Sequence, residues 1–232
     1  MTNCQKIRLG QSVPNNKLAQ SGFSLLEVLI TMLIILIGLF GIAALQGKAQ
    51  VAELESYQRA QALILLSDIE DRINLNREAA TCFNFTTDTA GGTPFIGATG
   101  TGHLGAPTCT ASSAAYNTQV INTIMDPDKN NQNDLDSLLR GATERKAVSS
   151  ICEDNPNDCY GALIGARACI SYDASKEVGS PAVAGTGLYT IAISWQGLAD
   201  LATPSINCAN GLYGTEPKRR TVSTTLRIAD IN

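Results

Sequence analysis

One histidine, one tryptophan and no C-x-x-C pair bound what these 232 residues can do. A lone His103 does not easily furnish both the base and the orienting partner of a nucleophilic site. No G-x-S-x-G, H-E-x-x-H or G-x-x-x-x-G-K-[ST] stretch occurs either. Without C-x-x-C spacing or further histidines, the usual zinc ligand pattern is missing. The chain also lacks a basic excess, with 17 basic against 21 acidic residues and a formal charge of −4. Nucleic-acid binding through a basic patch is therefore not expected. The one local basic cluster, Lys218-Arg219-Arg220, reads as the solvated edge of a strand. His103, in a glycine-rich stretch, reads as solvated. No cofactor and no catalytic residue are implied.

What the chain does have is a long apolar run. Phe23 to Leu45 is 23 residues with a single charge, Glu27. At about 1.5 Å per residue, a helix of that length covers roughly 35 Å, enough for the hydrocarbon core of a bilayer. A carboxylate inside such a helix costs on the order of 3 kcal/mol unless it has a partner. Glu27 lies five residues after Gly22, so cutting after Gly22 would expose a terminal amine suited to that role. A secretory signal peptide has a shorter apolar core, about 7–15 residues, and a small-residue cleavage site. Gly41-Ile42-Ala43 imitates such a site, but the run is longer and starts later. A plain single-pass anchor explains the length and leaves Gly22 and Glu27 without a role.

Gly22-Phe23-Ser24-Leu25-Leu26-Glu27-Val28-Leu29-Ile30 resembles the class III signal of type IV prepilins and type II secretion pseudopilins. The resemblance implies that a prepilin peptidase on the cytoplasmic face cleaves after Gly22 and N-methylates Phe23. The retained helix then becomes the packing core of a filament, with Glu27 serving assembly. Residues 1–22 would be the leader. They carry Lys6, Arg8 and Lys17 and no acid. By the positive-inside rule this segment stays in the cytoplasm and the remainder crosses. Removing the leader leaves 14 basic and 21 acidic residues, a formal −7. The implied organisation is a leader at 1–22, a membrane and filament-core helix at 23–45, an amphipathic continuation at 46–80 and a periplasmic or extracellular pilin domain at 81–232. The implied partners are other major and minor pilins, the prepilin peptidase and the inner-membrane assembly platform.

Subtracting the leader also removes Cys4 and leaves Cys82, Cys109, Cys152, Cys159, Cys169 and Cys208. Six cysteines beyond a membrane segment read as up to three disulfides, with fifteen possible pairings. The leading pairing is Cys152–Cys159, across the acidic loop between them. Cys82–Cys109 and Cys169–Cys208 follow.

Gln46 to Glu78 reads as a continuing amphipathic helix with Val51, Leu54, Leu65, Leu66, Ile69 and Ile73 on one stripe. With the apolar run it makes one helix of roughly fifty residues. Gly38 and Gly41 suit a bend or the close approach of neighbouring helices. Thr81 to Thr110 reads as a long Gly/Thr/Ala loop, with at most a short hairpin and little to bury. Ala115 to Met125 and Asn133 to Arg145 read as short helices. Asp134 or Asn133 would cap the second, with Leu135, Leu138 and Leu139 inward. Tyr160–Tyr172, Gly187–Gln196 and Thr221–Ile228 read as strands with short connections, hence antiparallel. The expected class is α+β: a long N-terminal helix laid on an antiparallel sheet.

One acidic loop carries part of a cation-binding pattern. Oxygen donors at Asp126, Asp128, Asn130 and Asp134 match the start of a calcium loop, but Asn131 replaces its glycine and Ser137 its glutamate. Such loops also arise for turn chemistry alone.

Leu188 to Gln196, ending Ser194-Trp195-Gln196, is similar to the penultimate strand of PilV-type minor pilins. The same holds for Leu36 to Gln46 and for the Asn133–Leu139 segment. That resemblance implies a low-abundance pilin acting in assembly or initiation of a type IV pilus, or in display at its tip. A minor pseudopilin of a type II secretion system shares the N-terminal signal. An adhesive module using the 81–159 loops is a reading from a different class.

Overall fold

A computed structural model describes residues 22–109, 113–126, 133–142 and 161–229. The chain forms two compact units, Met1–Lys48 and Ala49–Asn232. Residues 1–21, Cys152 and Cys159 lie outside the described residues, and with them most of the expected leader and the pairing expected between those two cysteines.

Helix α1 is Leu25–Leu75, 51 residues without a proline. The helix has no break until Asn76, whose side-chain amide donates to the Arg72 carbonyl at 2.8 Å and closes the last turn. In the first unit every α1 side chain is exposed. In the second unit α1 buries Gln58, Ala62, Leu66, Ile69 and Ile73, spaced three or four apart on one face. Val51 and Leu54, expected on that stripe, are exposed.

A 3-10 segment, Arg77–Phe83, leads into β1, Ile96–Gly97. Helix α2, Ala114–Ile124, starts where the Ser113 hydroxyl accepts from the Tyr116 N–H at 3.2 Å. Helix α3 is shorter than expected, Leu135–Leu139, with the Asp134 carboxylate accepting from the Ser137 N–H at 2.8 Å. Strands β2 (Arg167–Asp173), β3 (Leu188–Gln196) and β4 (Arg219–Arg227) complete a sheet of order β1-β2-β3-β4. Every pairing is antiparallel, with Ile170 opposite Ile191 and Ile193 opposite Val222. A long apolar helix with a four-stranded antiparallel sheet is the α+β arrangement of the pilin fold.

Alternation along β2 and β3 divides the second unit into two cores. Ala168, Ile170, Ile191, Ile193 and Trp195 join the α1 stripe in the larger one. Cys169 and Ala192 face the other way, where Phe95, Cys208, Ala209 and Tyr213 cover them. The glycine-rich 81–110 stretch is not the core-poor loop its composition suggests. Phe83, Phe85, Phe95 and Ile96 are buried, so four apolar side chains anchor a segment dominated by small residues.

Candidate functional site

The apolar half of α1 is built for contact beyond its own chain. Phe23 is 84% exposed, and each large apolar side chain from Leu25 to Leu45 is exposed as well. Among the described helices, only α1 is long and apolar enough to cross a membrane, and none of its most apolar window is buried. In water that surface would carry a large hydrophobic penalty, so a membrane or other apolar helices must cover it. Gly38, Gly41 and Gly47 have no neighbour within 4 Å of where a Cβ would stand. Nothing among the described residues therefore requires glycine there, whereas a neighbouring helix would gain close approach.

The start of α1 is organised around Ser24. Its carbonyl accepts from the Glu27 N–H at 2.9 Å and the Val28 N–H at 3.3 Å, and its hydroxyl accepts from the Leu26 N–H at 3.3 Å. These bonds place Glu27 in the first turn, where unsatisfied N–H groups favour negative charge. Gly22 and Phe23 precede that turn and are exposed, so the bond between them is accessible.

The remaining candidates fall elsewhere. Disulfides join Cys82 to Cys109 and Cys169 to Cys208. The first ties the end of the 3-10 segment to the far end of the glycine-rich stretch; the second ties β2 to the segment covering its outer face. In the acidic loop, Asp128 and Asn130 lie outside the described residues. Asp126 and Asp134 are both buried. Burial, joined by the negative charge of nearby Asp136, pushes the Asp134 carboxyl up to about 6, although the Ser137 N–H and hydroxyl favour the charged form. No cluster of three or more metal-ligating side chains occurs among the described residues.

Two sequence expectations are corrected. His103 is not solvated: its Nε2 lies 3.0 Å from Asp136 Oδ1 and 2.9 Å from Arg140 Nη2. Asp136 also accepts from the Gly97 N–H at 2.6 Å and pairs with Arg140 at 2.9 Å. This cluster fastens the glycine-rich stretch to α3 and β1. The Asp136-to-Arg140 spacing of four was its only sequence signal.

Nor is Lys218-Arg219-Arg220 a solvated edge. Arg219 is 1% exposed, paired with Glu216 at 2.7 Å and donating to the Ile206 carbonyl. Arg220 reaches Glu55 of α1 at 2.9 Å. Burial opposes ionisation of Glu55, but the Ala199 N–H, Arg220 and the Leu198 N–H together outweigh it and hold the carboxyl below its ordinary value. Residues 165 positions apart are thereby joined, and no local pattern announces such a pair.

The prokaryotic N-terminal methylation motif matches residues 17–43. No curated protein and no solved structure matches the chain. The motif covers Gly22, Phe23, Glu27 and most of the exposed apolar run, and it supports a type IV pilin-like protein or pseudopilin with a structural role at a membrane.

Proposed function

We propose that this chain is a minor pilin of a type IV pilus, cleaved after Gly22, N-methylated at Phe23, and active in pilus assembly, initiation or tip display. The carrying observation is the wholly exposed apolar half of α1, with its only charge one turn into the helix. Before assembly this half spans the inner membrane, with the leader in the cytoplasm. In the filament, helices of other pilins replace lipid around it. Glu27 then neutralises the amine of Phe23, of its own or a neighbouring chain, and sets the axial register. The prepilin peptidase and the assembly platform act on it in turn. The two disulfides support an oxidising destination for the second unit.

Mass spectrometry of the mature amino terminus tests the processing. An N-methylated Phe23 is expected; an intact Met1 or a start at Ala44 overturns the assignment. Glu27→Ala is expected to be cleaved normally but to enter filaments poorly, whereas normal incorporation would remove Glu27 from assembly. The same signal serves pseudopilins. A deletion strain that keeps its surface pili and loses protein secretion would move the chain to a secretion filament.

A further inference from the structure

A cleft of about 330 Å³ lies in the second unit between α1 and the sheet, lined among others by Glu55, Arg59, Trp195, Leu201, Arg220 and Val222. Its volume falls at the lower end of small-ligand sites, roughly 300–1,000 Å³. One part of the lining is apolar, from Trp195, Leu201 and Val222; the other carries two guanidinium groups.

The hydrogen bonding leaves donors without acceptors among the described residues. Trp195 is 3% exposed, and its indole Nε1–H has no partner there. Arg220 spends Nη1 on the Pro217 carbonyl and Nη2 on Glu55 and the Ala199 carbonyl, which leaves its buried Nε–H unpartnered. A Cβ at Gly197 would stand 2.6–2.8 Å from atoms of that guanidinium, so the glycine makes room for it. Arg59 is exposed and makes no hydrogen bond or ion pair with the described residues. The one acid in the lining is already committed: Glu55 Oε1 accepts from the Leu198 and Ala199 N–H groups and from Arg220. The Trp195 Nε1–H and Arg220 Nε–H groups are both enclosed, so within the cleft the exposed Arg59 guanidinium is the donor open to an oxyanion, with the Arg220 charge in the same lining.

We propose that this cleft binds a phosphate oxyanion, either as the phosphodiester of an anionic lipid headgroup or as free phosphate. Arg59 and Arg220 hold the charge, and Trp195 and Leu201 receive any apolar part. With Glu55 offsetting one arginine, a single positive charge remains, which suits a monoanion. Ala52, at the helical wall of the cleft, follows the apolar run by seven residues. The lipid source rests on the membrane-anchored reading above; the free-phosphate source does not.

Trp195 is the only tryptophan in the chain, so its emission reports on this cleft alone. The full chain in a neutral maltoside detergent is titrated with dihexanoylphosphatidylglycerol, with dihexanoylphosphatidylcholine and with inorganic phosphate. A saturable response to the glycerol lipid and not to the choline lipid is expected, and Arg59→Ala should weaken it about tenfold, with partial rescue by Arg59→Lys. Competition by inorganic phosphate would support the free anion as source; a saturable lipid response without such competition would support the headgroup. Equal responses to both lipids, no saturable response to the glycerol lipid or phosphate, or an unchanged affinity in Arg59→Ala would overturn the proposal. Because Arg59 is exposed and holds no polar contact in the described fold, an unchanged melting curve for Arg59→Ala separates lost binding from lost structure. Failure here would leave the processing and assembly tests untouched.

Discussion

Leu36 and Ile69 lie on the same 51-residue helix, yet Leu36 is 55% exposed and Ile69 is 1% exposed. Their surroundings differ in what the chain itself supplies. Around Leu36 the described residues supply nothing, and the helix is apolar on all sides, as a membrane or filament core requires. Around Ile69 the core includes residues of strands β2 and β3, although Leu63 and Ile64 nearby remain exposed. Helical periodicity alone therefore says where apolar side chains point. What covers them depends on whether other elements of the same chain reach that part of the helix.

The difference can be broken or sharpened by substitution. The largest effect is expected from Cys169→Ser combined with Cys208→Ser, which frees the segment covering the outer face of the sheet. A loss of about 2–5 kcal/mol should appear as a lowered denaturation midpoint of the full chain in detergent. Next, Ile69→Ala should cost about 2–5 kcal/mol, while Leu36→Ala should change the same midpoint by less than about 0.5 kcal/mol. Equal effects at the two positions would mean that the apolar half is also covered from within.

Glu55→Ala should cost about 1–3 kcal/mol, because Arg220 and the Leu198 and Ala199 N–H groups lose their acceptor together. A comparable loss should not follow Glu53→Ala, on the exposed side of the helix.

The smallest effect is a pH dependence at Asp134. Its folded pKa of about 6 lies above the ordinary 3.8, so the folded state holds the proton more tightly than the unfolded chain. The contribution of this group is fully favourable below about pH 4 and fades as pH rises through about 6. Asp134→Asn keeps a capping side chain and should flatten that component, gaining roughly 1–2 kcal/mol over the parent at pH 7.5 relative to pH 4. Paired thermal melts at the two pH values measure it, and parallel curves would show that Asp134 ionises freely.

Much of the fold was legible in local pattern. Period-two alternation marked Leu188–Gln196 along its length, and helical spacing marked α1, read to Glu78 where the α-helix ends at Leu75 and a 3-10 segment follows. Glycine and threonine around Phe83, Phe85, Phe95 and Ile96 hid a buried segment, since low average hydrophobicity masks a few well-placed anchors. His103 was hidden for a related reason. Its partners Asp136 and Arg140 lie on a different element, and a single histidine has no pattern of its own. The helix expected from Asn133 to Arg145 stops early, because its regular turns end at Leu139 and Gly141 takes a left-handed φ of 89°.

By itself the sequence determined the apolar run, the place of Glu27 after Gly22, the antiparallel strands and the α+β class. Each depends on spacing within one segment, which helix and strand geometry translate directly into a face. Only the tertiary structure decided that Arg219 is buried, that Arg220 crosses to Glu55, and that His103 fastens the glycine-rich stretch to α3. Those outcomes depend on residues distant in the chain meeting in space, where desolvation favours charged groups that find a partner.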